Sequence, residues 1–89
     1  MSPKLTEKGF RVEIHSMARG PVVLENVSSL SVLLADGGWL GILPGHAPLV
    51  AATEDGILSY TSGTEQKTLE VSGGILSIAD NVVSILTTR

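Results

Sequence analysis

Cysteine is absent from this 89-residue chain. That excludes disulfides and thiolate metal sites, and gives no sign of an oxidising destination. Aromatic residues are nearly absent too: Phe10, Trp39 and Tyr60 are the whole set. The core must therefore be aliphatic, and a ligand groove walled by exposed rings has little to be built from. Histidine is confined to His15 and His46. Zinc needs three or four protein ligands, and no carboxylate cluster accompanies either imidazole, so no metal site is expected. Six basic residues stand against nine acidic ones, for a net charge of −3. The basic residues are scattered, so no nucleic-acid-binding face is expected. No apolar run approaches the roughly 18 residues of a spanning helix. Residues 1–8 carry charge but no apolar core follows them, so they do not read as a signal peptide. Direct membrane insertion is not expected. No window of ten residues has helical period.

What is present is strand signal, repeated. Residues 10–16 alternate cleanly, with Phe10, Val12 and Ile14 on one face and Arg11, Glu13 and His15 on the other. Residues 22–24 form a short strand, Glu25-Asn26 a turn, and residues 27–34 the next strand. There Leu30 and Val32 keep period two while Val27 falls off phase, which predicts a bulge near Ser28-Ser29. Asp36-Gly37 is a favoured hairpin pair. Strands are predicted further at 39–43, 48–53, 57–61, 66–71, 75–79 and 82–87, separated by Gly, Pro, Asn and Asp turns. Glu54 and Asp55 read as solvated turn residues. About nine or ten short strands in one domain, residues 10–87, argue for an all-β fold, an antiparallel sandwich or barrel. Residues 1–9 read as a loose tail.

Catalytic constellations are missing. A triad of His46, Asp36 and a serine can be assembled on paper, but no spacing favours it and there is no nucleophile elbow. Gly37-Gly38 and Gly73-Gly74 lie between strands rather than before a helix, so neither cradles a phosphate. No catalytic residue, cofactor or small-molecule substrate is expected.

One stretch stands apart: Gly38-Trp39-Leu40-Gly41-Ile42-Leu43-Pro44-Gly45-His46-Ala47-Pro48-Leu49. Pro44 fixes its own φ and pushes Leu43 into an extended conformation, and Gly45 can take positive φ without steric cost. Pro48 then opens a second apolar run. The segment reads as strand, stiff corner, strand. Either it is only a structural turn, or it is a contact surface.

This stretch closely resembles the hallmark of the ε subunit of F-type ATP synthases. Val71-Ser72-Gly73-Gly74-Ile75-Leu76-Ser77-Ile78 is similar to a second family motif. Asp55-Gly56-Ile57-Leu58 and the closing segment from Asn81 to Leu86 match at the family's spacing. The resemblance covers residues 10–87. It implies a two-sheet β-sandwich in the central rotor, without catalytic residues. Such a subunit docks the γ subunit to the c-ring at the cytoplasmic face of the bacterial inner membrane, as a peripheral part of the complex that couples ion flow to ATP synthesis. The resemblance further implies a c-ring-side contact at Ala35, Asp36, Gly37, Gly38 and Trp39. It places the γ-side contact at His46, Ala47, Pro48 and Leu49, with Pro44, Gly45, Gly73 and Gly74 as turn formers.

Two departures from the family pattern stand out. Trp39 occupies the position where an acidic residue is common, leaving Asp36 as the carboxylate of a loop one residue longer than usual. The sequence also ends at Arg89, where most members continue into a two-helix hairpin that restrains rotation. The expectation is that this chain performs no such helical role. A free-standing β-sandwich binding module is the alternative reading, and a small hydrolase using His46 a more remote one.

Overall fold

The computed structural model describes residues 9–89. Among them are eight strands: β1 (Phe10–His15), β2 (Val22–Leu33), β3 (Trp39–Ile42), β4 (Leu49–Thr53), β5 (Gly56–Ser62), β6 (Glu65–Val71), β7 (Gly74–Ala79) and β8 (Val82–Thr87). The pairing order is β4-β7-β8-β1-β2-β5-β6, with β3 also on β2. Six of the pairings are antiparallel. The exception is β1 with β8, which run parallel with Val12 opposite Val83 and Ile14 opposite Ile85.

The twelve residues of β2 make two layers out of one hydrogen-bonded sheet. Its first half pairs with β1 and its second half with β5 and β3. Two irregularities let it change layers. Asn26 takes φ 55° where the register against β1 slips, and the register against β5 slips between Val27 and Ser29. The bulge expected at Ser28-Ser29 is there. The turn expected at Glu25-Asn26 is instead an in-strand distortion, because the positive φ of Asn26 is absorbed within one strand rather than ending it. Leu34 then bridges to Thr53, and the Ala35 amide donates to the Ala52 carbonyl at 3.0 Å, tying the second layer to the far edge of the first.

The space between the layers is aliphatic, as the composition requires. Phe10, Val12, Ile14, Val27, Leu30, Val32, Ile42, Leu58, Leu76, Ile78, Val83 and Ile85 form one buried cluster. Both layers contribute, and β1 buries alternate residues as its period dictates. Each of these side chains stabilises the fold by about 1.5–3 kcal/mol on transfer from water. Of the expected tail at residues 1–9, only Gly9 lies within the described residues. It packs so closely on the Asn26–Val27 backbone that a Cβ there would overlap the Val27 carbonyl oxygen.

Candidate functional site: a stiff corner, a hairpin loop and an apolar face

The corner is a tight turn. The His46 amide donates to the Leu43 carbonyl at 3.2 Å, and Gly45 sits at φ 81°. Proline at the second position and positive φ at the third are the type II pattern. Pro44, Gly45, Ala47 and Pro48 are exposed, and His46 and Leu49 are half-buried. His46 Nδ1 lies 2.7 Å from the Ala47 carbonyl oxygen. A carbonyl can only accept, so this contact places the proton on Nδ1 and leaves Nε2 as the ring's other polar atom.

Residues 35–38 make the β2–β3 hairpin loop. Leu34 and Gly38 close it through an amide-to-carbonyl bond of 2.8 Å, and the Gly37 amide donates to the Leu34 carbonyl at 2.9 Å. Gly37 takes φ 92°. The Asp36 carboxylate accepts the Gly38 amide at 2.8 Å, so it shapes the loop while staying exposed. Trp39 follows at the start of β3 with 62% of its surface exposed.

Strand β4 connects the two regions. The corner enters β4 at Leu49, and the loop is bonded to its other end at Ala52. The two expected contact segments therefore lie at opposite ends of one strand. The structure does not bring His46 and Asp36 together as an ion pair or hydrogen-bonded pair, and no cluster of three metal-ligating side chains exists among the described residues.

Between these ends lies a surface missing from the sequence reading. The outward face of the first layer carries a row Ala52, Ile75, Leu86 and His15, and beside it a row Val50, Ser77, Ser84, Glu13 and Val23. Val50 is 71% exposed and Leu86 62%; Ile75 and Val23 are exposed as well. At one side the face is bordered by charge. Glu13 accepts from Arg11 Nε at 2.8 Å and lies 3.2 Å from His15 Nε2, while Arg11 also reaches Glu25 at 3.2 Å. His15 first, and then Arg11, holds the Glu13 carboxyl below the usual carboxylate range. A partial signal for this face was present: in residues 75–78 and 82–86 apolar side chains fall on both phases of the strand, with Ile75, Val82 and Leu86 outward and only Ser77 and Ser84 interrupting them, which approaches the pattern of strands covered on both sides.

A family model described as the ATP synthase delta/epsilon chain β-sandwich domain matches residues 10–89. The chain belongs to this family. Among curated relatives, the ATP synthase epsilon chain of Desulfitobacterium hafniense (strain DSM 10664 / DCB-2) is 39% identical over 64 residues, covering 72% of this chain and 48% of that one. The epsilon chain of Leptospira borgpetersenii serovar Hardjo-bovis (strain JB197) is 50% identical over 50 residues, covering 56% and 39%. The chain spans about half the length of the curated relatives it matches. A chain of the Euglena gracilis mitochondrial ATP synthase structure superposes with a TM-score of 0.79 at 22% identity, over 98% of this chain and 54% of that one. A chain of the Tetrahymena thermophila mitochondrial ATP synthase central stalk and c-ring structure gives 0.70 at 16% identity, over 94% and 67%. At such identities these two establish the shared fold.

In this delta/epsilon-type sandwich the second glycine motif is a point of close backbone approach. A Cβ on Gly73 would lie 2.7 Å from the Thr53 carbonyl oxygen, and one on Gly74 would overlap the Leu86 carbonyl oxygen. The Gly74 amide donates to Thr53 Oγ1 at 3.0 Å, and the Gly73 amide to the Asp55 carboxylate at 2.6 Å. Arg89 Nη2 adds a 2.9 Å ion pair to the same carboxylate. Asp55 is thus exposed but fully engaged, rather than merely solvated as its turn position suggested.

The Gly73 amide first, and Arg89 second, holds the Asp55 carboxyl below its ordinary value. A depressed carboxyl pKa means the unfolded chain binds the proton more readily than the folded one. Its contribution to stability is therefore present above the ordinary aspartate value, near 4, and is lost as pH falls through the lower folded value. Asp55→Ala is expected to lower the thermal midpoint at pH 7, and the gap from wild type is expected to narrow below about pH 4. Melting curves from pH 7 to pH 2.5 would show this; a gap that stays constant would contradict it.

Proposed function

We propose that this chain is the sandwich domain of an F-type ATP synthase ε subunit, a non-catalytic rotor element that docks the γ subunit to the c-ring and so couples ion translocation to ATP synthesis and hydrolysis. It would work at the cytoplasmic face of the bacterial inner membrane as a peripheral part of the complex. The observation that carries this reading is the placement of the corner. A stiff Pro44-Gly45 turn presents His46, Ala47, Pro48 and Leu49 next to an uncovered apolar sheet face, while the β2–β3 loop at 35–39 is bonded through Ala35 to the opposite end of β4. Two separated contact areas on one rigid body suit a part that bridges two partners. A turn already fixed in shape loses little conformational freedom on docking.

In this reading γ covers the corner and the β4–β7–β8 face, and the c-ring meets Ala35, Asp36, Gly37, Gly38 and Trp39. Trp39 supplies contact area where an acidic residue would supply charge, and large rings are common anchors at interface centres. Co-purification of the chain with γ and the c-ring of the same complex tests the proposal. Stable association with γ is expected, and no association would overturn it. Trp39→Ala and His46→Ala are each expected to weaken assembly by about tenfold to a hundredfold, the range of single interface anchors. Both should leave the far-ultraviolet circular dichroism unchanged, because neither side chain belongs to the buried cluster. Unfolding of either variant would assign that residue a structural role instead.

A further inference from the structure

The corner needs a partner that its own turn cannot provide. In a four-residue turn the closing bond uses the first carbonyl and the fourth amide, here Leu43 and His46. The amide of the third residue, Gly45, is left over. It donates instead to Asn81 Oδ1 at 2.7 Å, across 36 residues of sequence. Among the described residues this is the hydrogen bond by which a side chain elsewhere in the fold holds the corner.

Asn81 is itself held in place. It occupies the β7–β8 hairpin turn, where Asp80 and Asn81 both take positive φ, at 52° and 64°. Two successive positive φ values mark the type I′ turn that matches strand twist, and Asn and Asp tolerate that region better than most residues. The Asn81 carbonyl also accepts the Arg11 amide at 3.1 Å. One residue thus joins the β7–β8 turn, the start of β1 and the Pro44-Gly45 turn.

We propose that the Asn81 carboxamide is a positioning residue for partner docking: by holding the Gly45 amide it fixes the angle at which His46, Ala47, Pro48 and Leu49 meet the γ subunit. The proposal rests on the reading of that segment as the γ contact. Its chemistry separates it from a purely structural role, because the hairpin turn does not need the side chain. Asn81→Gly keeps the positive φ, and Asp-Gly is among the most favoured type I′ pairs, so the hairpin itself is not weakened. Asn81→Asp keeps both the backbone preference and the acceptor oxygen.

The test compares wild type, Asn81→Gly and Asn81→Asp by amide hydrogen exchange and by titration with purified γ subunit. In Asn81→Gly, exchange at the Gly45 amide is expected to accelerate by at least about tenfold as the amide loses its acceptor. Affinity for γ is expected to fall about fivefold or more as the corner loses its preorganisation. The thermal midpoint should hold or rise. Asn81→Asp should match wild type in both readouts. Unchanged exchange at Gly45 in Asn81→Gly would show that the bond does not hold the corner. Faster exchange with undiminished γ affinity would show that holding the corner does not matter for docking. Either result overturns the proposal. If wild type itself fails to bind γ, the functional reading falls with the docking half of the proposal, and the exchange data still decide whether Asn81 holds the corner.

Discussion

Gly74→Ala is expected to destabilise the domain severely. The added Cβ would overlap the Leu86 carbonyl oxygen and lie 2.8 Å from both the Leu86 carbonyl carbon and the Thr87 Cα. All three are backbone atoms, so no side-chain rotation relieves the clash. Gly74 is also paired on both sides, with Thr53 on β4 and Thr87 on β8. Moving β8 aside would displace Val83 and Ile85 from the buried cluster. Overpacking against a side chain costs about 1–3 kcal/mol, and a backbone collision lies at or above that limit. For a domain of this size a loss of about 3 kcal/mol lowers the thermal midpoint by roughly 12–24 °C. Thermal melts, or recovery in the insoluble fraction, would register it. Gly41→Ala is the control: its Cβ would meet nothing within 4 Å, and no stability loss is expected. A Gly74→Ala domain melting within about 4 °C of wild type, the shift set by 1 kcal/mol or less, would show that the strands are not packed as described.

Leu86→Glu is expected to weaken γ binding by about a hundredfold or more without harming the fold. Leu86 stands 62% exposed near the middle of the apolar face, between Ile75 and His15. Covering the exposed part of this leucine contributes about 1–2 kcal/mol, and desolvating a carboxylate against an apolar partner surface adds a further penalty that the single neighbouring His15 does not offset. Together they weaken binding by at least about a hundredfold, since each 1.4 kcal/mol is tenfold. Ile57→Glu is the matched control. Ile57 is also an exposed apolar strand residue, but it lies on β5 in the other layer, and its replacement should leave γ affinity intact. Equal losses from both variants would mean general destabilisation or a different docking face.

The strands and their phases were legible in the sequence because period two is a local property: Phe10, Val12 and Ile14 are buried as the alternation requires. Positive φ at Gly45 was legible for the same reason, since Pro-Gly constrains its own turn. What stayed hidden depends on which strands meet. The parallel pairing of β1 and β8 joins the two ends of the domain, and nothing local encodes it. The continuity of β2 through Asn26 is a second case, because an Asn at positive φ looks the same whether the strand ends or bends there. The Asp55–Gly73 and Asn81–Gly45 bonds link turns 18 and 36 residues apart, so neither turn's composition reveals them. The exposed apolar face was half legible. Apolar residues on both phases of β7 and β8 signalled double-sided cover, but only the fold shows that one side is left open.

The most direct test of the two-partner reading is hydrogen-exchange protection of this chain, first with γ alone and then with γ and the c-ring together. With γ alone, amides of the corner at 43–49 and of β4, β7 and β8 should gain protection, while the loop at 35–39 stays as it is in the free chain. Addition of the c-ring should then protect that loop. Protection confined to β5 and β6, or a loop already protected by γ alone, would contradict the assignment of separate partners to the two ends of β4.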